Sequence, residues 1–437
     1  MNLRERIIFK AGELLYPGFG REAAAFGGGE AAPLLKLNAL LAHARRHLPA
    51  YDAACASAGV GPSGLAAIED AGRLPRLERG DLARKANRIR EGRSLARLES
   101  GGTGRSGKVE TALDLRGVVK RYAGLLSVLK TAGWRMGEKI VAFHPVEYGY
   151  FNNLGLLLRS RAFTKILFEF FQQYFLYRLF HNRKNIHYGA ELFTSPEAAA
   201  ALLEKALAEN PLFIITRPDA LMAVLKSLRN RPAPGFGRLK AVLTVGTVLG
   251  ETVRKEAREK LGAEVYNMYA STELGYVALG CARPEGRLHV NEADYLAETD
   301  GERGLTVTDF NNRLMPMLRY GTGDVGELSA GGCACGRRGQ LLRVLGRKDK
   351  FIKDGRGDRL YEADVIDRTF PADLPLFQLL AGKEDKLEIL FSGGSPRADE
   401  AAAAGIAGLL SLDKGAYVFS RAESFKMPAS GKFCFLP

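Results

Sequence analysis

The sequence predicts an α/β fold, with a large N-terminal domain of helix-covered sheets and a small, mobile C-terminal α+β domain. Helical and strand-like segments alternate through the middle of the chain, a pattern typical of parallel sheets covered by helices. Short strands and glycine-rich turns dominate after about residue 280. The charged, glycine-containing segment Gly346–Arg359 is the natural linker to the tail. We therefore predict one domain over residues 1–345, mostly helical in 1–95, and a second over 346–437.

The individual elements are indicated by apolar spacing and by glycine or proline stops. The N-terminal region has helical spacing over Leu34–Gly59, and Gly59 is a plausible end. The next predicted helices are Val118–Gly133, Pro196–Pro211, Asp219–Leu228 and Glu251–Leu261. The predicted strands are Lys139–Pro145, Leu212–Thr216, Leu239–Gly246, Ala263–Tyr269, Gly304–Phe310 and Val325–Ser329.

Composition restricts the class of protein. The chain has 437 residues, of which 46% are hydrophobic, so it can build substantial cores. Its net charge of +14 is compatible with nucleic acid, an anionic membrane surface or polyanionic small substrates such as ATP or coenzyme A. Because the basic residues are scattered, a generally arginine-rich composition or a small polyanion is favoured. Five cysteines are too few for a secreted disulfide framework. The apolar segment Ala162–Phe180 is interrupted by charged and amide side chains, so we expect a cytoplasmic protein without a membrane span.

The segment ESGGTGRSGKV, Glu99 to Val109, admits three interpretations. It contains the GxGxxG of a dinucleotide fold and the GxxxxGK of a P-loop, and both motifs need a helix directly afterwards. Val109 removes the Ser or Thr that a P-loop needs for Mg²⁺, and VETALDL, Val109 to Leu115, alternates as a strand does. We therefore interpret the segment as a hairpin-like loop over a triphosphate, with backbone amides and hydroxyls as donors.

Four later motifs decide between these interpretations. MYASTELG, Met268 to Gly275, follows a predicted strand, where α/β proteins place ligands. RYGTGDVGEL begins at Arg319, GRKDKFIK begins at Gly346, and MPASGKF begins at Met427. In this order and spacing the motifs resemble those of the adenylate-forming superfamily. The segments MPMLRYGTGD and CACGRRGQLLRVLGRKDK are similar to its phenylacetate–CoA ligase branch.

The resemblance implies a role for each matched residue. Lys432 bridges the carboxylate and the α-phosphate, Thr272 bonds the α-phosphate, and Glu273 holds Mg²⁺; we take these three as catalytic. Tyr269 stacks on adenine and Asp324 accepts from the ribose hydroxyls. The implied nucleotide contacts are Ser100, Gly101, Gly102, Thr103, Gly104, Lys108, Gly246, Thr247, Tyr269, Ser271, Thr272, Asp324 and Arg347.

Further implied features are a hinge and a pocket for the acid. Asp349 occupies the hinge position, about which the family rotates its small domain before thioester formation. His144, Tyr148 and Tyr150 are candidates for the pocket lining. This sequence departs from the family pattern at Gly102, which replaces a hydroxyl, and at Gly321, where the family usually has Arg.

Four residues form a candidate metal site. Cys333 and Cys335 lie in a glycine-flanked turn, and Cys281 and His289 precede it. Three thiolates and one imidazole are a standard structural zinc set, although the CxC spacing is also compatible with buried free thiols. Some members of the branch carry zinc at similar positions.

The function predicted from the resemblance is ATP-dependent activation of a carboxylic acid, aromatic by family default. An acyl-adenylate forms, pyrophosphate leaves, and the acyl group passes to coenzyme A. The alternatives are an amine, carrier-protein or deazaflavin acceptor, or a non-catalytic basic binding protein on the same fold. We expect small-molecule partners and no nucleic acid; a homodimer is conceivable.

Overall fold

The computed structural model describes residues 1–27, 32–85, 87–89, 94–99, 109–146, 171–229, 237–283, 286–383, 386–392, 396–413, 415–428 and 430–437, and only the backbone at 171–175 and 396–398. Within them the α-helices are α1 Leu3–Leu15, α2 Phe19–Ala24, α3 Pro33–His47, α4 Pro49–Ser57, α5 Arg79–Ala83, α6 Leu115–Thr131, α7 Pro196–Ala208, α8 Pro218–Ser227, α9 Glu251–Leu261, α10 Glu362–Thr369 and α11 Pro396–Leu409. A 3₁₀ helix spans Ile68–Arg73, another spans Ala190–Phe193, and a π-helix spans Phe171–Phe180.

The strands are β1 Ala96–Glu99, β2 Glu110–Leu113, β3 Ile140–Pro145, β4 Arg183–Tyr188, β5 Phe213–Thr216, β6 Ala241–Val245, β7 Glu264–Ser271, β8 Gly275–Gly280, β9 Leu288–Val290, β10 Tyr295–Thr299, β11 Gly304–Asp309, β12 Met317–Gly332, β13 Arg338–Arg347, β14 Ile352–Lys353, β15 Arg359–Leu360, β16 Phe377–Ala381, β17 Leu387–Ser392 and β18 Tyr417–Ala422.

The chain divides into two compact units. Unit 1 comprises Met1–Arg135, Met268–Arg283 and Arg287–Arg343; unit 2 comprises Met136–Asn267, Pro284–Gly286 and Val344–Pro437. The chain passes between the units within β7 and again within β13. The predicted division at residues 345/346 stays a prediction.

Unit 1 contains an N-terminal helical region and antiparallel strands. Its hydrogen-bonded strand order is β10-β11-β12-β13-β9-β8. Apolar residues of α3 and α4 pack with Phe310 and Leu318 in one buried cluster. The predicted helix Leu34–Gly59 is divided between α3 and α4, because Pro49 has no amide to continue the first helix and instead begins the second.

The strand predicted after the glycine-rich loop is present. β1 and β2 pair antiparallel, with Glu99 opposite Glu110, so the residues that precede and follow 100–108 form a hairpin pair. Helix α6 begins only after β2, where the Asp114 side chain accepts from the amide of Gly117 at 2.7 Å. A strand therefore stands where a P-loop or a dinucleotide fold requires a helix.

Unit 2 contains a parallel sheet and the C-terminal elements. Strands β4, β3, β5 and β6 are neighbours in that order and are parallel. Among the helices between them, α7 buries one face and α8 is buried along almost its whole length. Ser195 caps α7, because its hydroxyl accepts from the amide of Ala198 at 3.1 Å. The C-terminal strands β16, β17 and β18 form a second sheet. One cluster of buried apolar residues includes both the parallel strands and the C-terminal elements.

Among the described residues, no helix combines the length and the apolar character that crossing a bilayer requires.

Candidate active site

The turn after β7 carries three of the predicted site residues. Ser271 ends the strand, and its hydroxyl accepts from the amide of Leu274 at 3.1 Å. The carbonyls of Thr272 and Glu273 each accept from the Arg121 guanidinium at 2.6 Å. The turn closes at Gly275, whose φ of +89° suits glycine. Arg121 on α6 thus fixes the backbone that presents the Thr272 and Glu273 side chains.

Two motifs far apart in sequence meet at the Tyr269 hydroxyl. That hydroxyl donates to Asp324 Oδ2 at 2.6 Å, across 55 residues. The Asp324 amide donates to the Thr322 hydroxyl at 3.1 Å, which orients the turn. The structure therefore joins the predicted adenine-stacking and ribose-binding residues.

Glu273 is buried and forms an ion pair with Arg79, which no sequence motif predicts as a site residue. Its side chain is 5% exposed, and Oε1 accepts from Arg79 Nη1 at 2.8 Å. Burial raises the pKa of the nearby Tyr320 phenol, and the charge of Glu273 raises it further. Arg79 lies at the start of α5, 194 residues from its partner, so no local motif indicates the pairing.

Gly321, which departs from the family pattern, lies against Arg76. A Cβ at this position would lie 2.8 Å from Arg76 Nη2 and 3.0 Å from Glu78 Oε2. Backbone hydrogen bonds join Leu77 to the 319–321 segment, so these two parts of the chain lie side by side. Arg76 also pairs with Asp300 at 3.1 Å. A guanidinium from elsewhere in the chain therefore occupies space beside residue 321.

The other described residues that are predicted to contact the nucleotide or the acid, or to form the hinge, belong to unit 2. Gly246 follows β6 with φ of +103°, and the Thr247 hydroxyl accepts from the amide of Asp219 at 3.4 Å. Arg347 ends β13, and Asp349 lies in the following turn, where the amide of Lys350 donates to the Arg347 carbonyl at 3.2 Å. Lys432 is half-buried in the C-terminal segment.

His144 lies at the carboxyl end of β3, opposite His187 on β4. Its Nε2 is 2.5 Å from Arg183 Nη2. Burial, aided by the positive charge of Arg183, lowers the pKa of His144 to about 3, so the ring is neutral at physiological pH. Its role in lining an acid pocket stays a prediction.

Several predicted residues lie outside the described part of the chain. These are the loop residues Ser100, Gly101, Gly102, Thr103, Gly104 and Lys108, and the pocket candidates Tyr148 and Tyr150. Their roles stay predictions.

The four predicted zinc ligands converge in unit 1. Cys281 follows β8, His289 lies on β9, and Cys333 and Cys335 lie in the turn between β12 and β13. Neighbouring strands create this meeting, because His289 is opposite Leu279 of β8 and Leu341 of β13. The four ligand atoms lie within 4.8 Å of one another.

Two distances within the cluster are close to those of a tetrahedral metal site. Cys281 Sγ is 3.6 Å from Cys333 Sγ, and Cys335 Sγ is 3.3 Å from His289 Nε2. Tetrahedral zinc places two sulfurs about 3.8 Å apart, and a sulfur and a nitrogen about 3.6 Å apart. The donor set and its spacing therefore fit zinc.

The chain is similar to known proteins in sequence and in fold. No family model matches the chain. It is 25% identical over 383 residues to the phenylacetate–coenzyme A ligase of Thermus thermophilus, covering 81% of this chain and 78% of the relative.

Solved structures agree on the fold. A 2-hydroxyisobutyryl-CoA ligase in its postadenylation state, in complex with 2-HIB-AMP, superposes with a TM-score of 0.65 and 18% identity, over 90% of this chain and 85% of that one. The same ligase with 2-HIB-AMP and CoA in the thioesterification state gives 0.54 and 18%, over 91% and 87%. The α/β fold class with a smaller C-terminal domain is confirmed, and so is the resemblance to adenylate-forming CoA ligases.

Proposed function

We propose that this chain, a phenylacetate–CoA ligase-like member of the adenylate-forming superfamily, activates a carboxylic acid with ATP and transfers the acyl group to coenzyme A. In the first step a carboxylate oxygen attacks the α-phosphorus, forming the acyl-adenylate and expelling pyrophosphate. The second step forms a thioester and releases AMP. The observation that supports this most directly is the Tyr269–Asp324 hydrogen bond of 2.6 Å, which joins two of the family's nucleotide-binding motifs.

The described residues have chemistry suited to the first step. The reaction brings an anionic carboxylate to an anionic phosphate, so catalysis needs cations and aligned donors. We assign this work to Lys432 and Thr272, with Asp324 holding the ribose and Tyr269 stacking on adenine. Gly246 and Thr247 border the base, Arg347 supports the ribose, and Ser100–Lys108 holds the β- and γ-phosphates.

Magnesium is proposed to bind beside Glu273. A carboxylate is the hard oxygen ligand that Mg²⁺ prefers. One of its oxygens already accepts from Arg79, which reduces the negative charge presented to a cation. We therefore expect Mg²⁺ to bind with the nucleotide phosphates rather than to the empty protein. Glu273→Gln should raise the Mg²⁺ concentration that gives half-maximal activity.

The acid is proposed to be aromatic, because the curated relative is named for phenylacetate. His144 is the described candidate for its pocket, together with Tyr148 and Tyr150. For the second step we propose rotation of the region after Asp349, which would remove Lys432 and admit the thiol.

The test is acid-dependent exchange of labelled pyrophosphate into ATP, over a panel of aromatic and aliphatic acids. Lys432→Ala should abolish exchange. Lys426→Ala, an exposed lysine of the same C-terminal stretch, should leave it unchanged. If no acid supports exchange, the proposal is wrong. Adding coenzyme A, an amine or a deazaflavin to the exchange-competent enzyme identifies the acceptor, and failure of coenzyme A as acceptor would refute the second step.

We also propose that Cys281, His289, Cys333 and Cys335 hold one structural zinc ion. Such an ion would join the turn between β12 and β13 to β8 and β9, without taking part in the reaction. Protein produced with added zinc should contain about one ion per chain. Cys333→Ser and Cys335→Ser should lose the ion, whereas Cys55→Ser, a buried thiol elsewhere in unit 1, should keep it. Protein without zinc, or equal zinc in all variants, would refute the assignment.

A further inference from the structure

An ion pair in unit 2 lies at the start of α8. The Arg217 guanidinium bonds the Asp219 carboxylate twice, from Nε to Oδ1 at 3.0 Å and from Nη2 to Oδ2 at 2.6 Å. Arg217 is 8% exposed and Asp219 is 1% exposed. Asp219 also accepts from the amide of Ala220 at 2.9 Å, so the helix start fixes the carboxylate.

The same ion pair binds the backbone on both sides of Lys432. Arg217 donates to the Ser430 carbonyl at 3.2 Å and to the Gly431 carbonyl. Asp219 Oδ2 accepts from the amide of Phe433 at 2.9 Å. Two carbonyls before the lysine and one amide after it are thus held by two side chains more than 210 residues away.

The residues that follow Lys432 are also fixed. The Phe433 ring stacks on Phe193 at 5.1 Å between centroids and is 1% exposed. The amides of Phe435 and Leu436 donate to the Glu362 carboxylate at 2.7 and 3.0 Å. Aromatic packing and the bonds to Glu362 thus anchor this segment in addition to the buried ion pair.

Buried ion pairs are weak stabilisers, because desolvation offsets most of their attraction. Their distinctive property is that their hydrogen bonds are directional. A planar guanidinium and a carboxylate form good hydrogen bonds only with partners in a narrow range of positions. Here the directed partners are the backbone groups that flank Lys432. Small errors in the position of a reacting group reduce rate strongly, by about 100-fold for 1 Å.

We propose that Arg217 and Asp219 are positioning residues for Lys432, holding its backbone so that the ammonium group meets the carboxylate and α-phosphate during adenylation. This inference rests on the proposed function. It assigns the pair to the adenylation step and to no other, because the thioester step follows withdrawal of the lysine.

The experiment separates the two half-reactions in Arg217→Lys, Arg217→Gln and Asp219→Asn. We expect kcat for pyrophosphate exchange to fall about 30- to 100-fold in Arg217→Gln and Asp219→Asn, with the KM for ATP changed less than about threefold. Arg217→Lys should recover part of the loss. Thioester formation from separately supplied acyl-adenylate should stay within about threefold of wild type.

The matched control is Arg229→Gln. Arg229 also forms an ion pair, with Glu256 at 2.7 Å, although this pair is only partly buried, and it also donates to backbone carbonyls, those of Phe370 and Ala372. It should not change the ratio of the two half-reactions. If the Arg217 and Asp219 variants slow both half-reactions equally, or if Arg229→Gln shifts the ratio as strongly, the positioning role is refuted.

A readout without activity distinguishes failure of this inference from failure of the proposed function. Mass spectrometry measures two rates in the wild type and in Arg217→Lys, the variant that keeps the charge. One is hydrogen exchange at the Phe433 amide, and the other is acylation of Lys432 by an amine-reactive acylating reagent. Both rates should rise about tenfold or more at this segment, with no change at Lys426. Unchanged rates overturn the inference even if adenylation is confirmed; raised rates support the anchoring even if no acid is activated.

Discussion

Tyr269 and Asp324 should act as one unit toward the nucleotide, because the phenol orients the carboxylate. Tyr269→Phe keeps the ring that we propose stacks on adenine and removes the hydroxyl that donates to Asp324. A hydrogen bond to a charged group contributes about 1.5–3 kcal/mol. We expect the KM for ATP to rise about tenfold in pyrophosphate exchange, with kcat changed less than about threefold.

The control for this substitution is Tyr16→Phe. The Tyr16 hydroxyl donates to Glu22 at 2.5 Å, so the same type of bond is removed away from the proposed nucleotide contacts. Its KM for ATP should equal that of wild type. An equal rise in both variants would mean that general loosening of unit 1, and not nucleotide contact, produces the effect.

For single residues, the sequence predicts the members of the motifs but not the side chains that bond to them. MYASTE and YGTGD are local patterns, whereas the bond between Tyr269 and Asp324 appears only in the structure. Arg79 and Arg76 come from the N-terminal helical region, where a single arginine has no recognisable spacing. Gly321 marks a departure in the sequence, yet only the packing shows that Arg76 lies beside it.

Strands β12 and β13 pack tightly at Gly326. A Cβ there would lie 2.9 Å from Leu342 Cδ1 and 3.0 Å from the Arg343 carbonyl oxygen. The backbone carbonyl cannot turn away without breaking the strand pairing. We expect Gly326→Ala to lower the free energy of unfolding by about 1–3 kcal/mol in urea titrations.

Gly332→Ala is the matched control for that substitution. It lies at the end of the same strand, and a Cβ there would meet nothing within 4 Å. Its free energy of unfolding should stay within about 0.5 kcal/mol of wild type. Equal destabilisation by both would show that the contact of the added Cβ at residue 326 is not responsible.

The end of β11 gives a pH dependence. Burial raises the pKa of Asp309 to about 6, although the amide of Asn311 and the charges of Arg121 and Lys120 act in the opposite direction and Asp294 adds to the rise. The ordinary pKa of the unfolded chain is lower, so the native state binds the extra proton. Stability from this group is fully present below pH of about 4 and is lost as pH rises through about 6.

Replacing the carboxyl tests this sign. Between pH 4 and 7 the free energy of unfolding of wild type, minus that of Asp309→Asn, should fall by about 2–3 kcal/mol. The measurement is a series of urea titrations at fixed ionic strength. A difference that is flat or rises with pH would contradict a raised pKa.

Among the elements, the sequence predicts existence and type better than ends. Helix α9 has the predicted bounds because Gly262, with φ of +63°, gives a clear stop. The predicted helix Leu34–Gly59 is wrong at one point, since Pro49 separates two helices while apolar spacing continues across it. Periodicity reports which face is buried, whereas helix ends depend on single caps and prolines.

The division of the whole molecule cannot be obtained from sequence, because segments distant along the chain share one core. Val344–Pro437 joins Met136–Asn267 in unit 2, and Phe433 packs there with Phe193. The chain changes unit between Arg343 and Val344, while the linker that composition predicts after Gly346 stays a prediction. What composition cannot indicate is which earlier segment the tail contacts.

The effect of salt on the positively charged chain can distinguish an ATP-dependent enzyme from a basic binding protein on the same fold. A net charge of +14 raises the local concentration of anionic ATP, and this attraction is screened within about 10 Å at 0.1 M salt. Between 50 and 500 mM NaCl we expect the KM for ATP in pyrophosphate exchange to rise about two- to fivefold, while kcat stays nearly constant.

Duplex DNA binding, measured over the same salt range, provides the contrast. If the chain were a nucleic-acid-binding protein, displaced counterions would make its DNA affinity fall by about a thousandfold or more with salt. The scattered distribution of basic residues predicts only weak DNA binding, with no effect of DNA on exchange at 150 mM salt. Tight, steeply salt-dependent DNA binding without pyrophosphate exchange would assign the positive charge to nucleic acid instead of the nucleotide substrate.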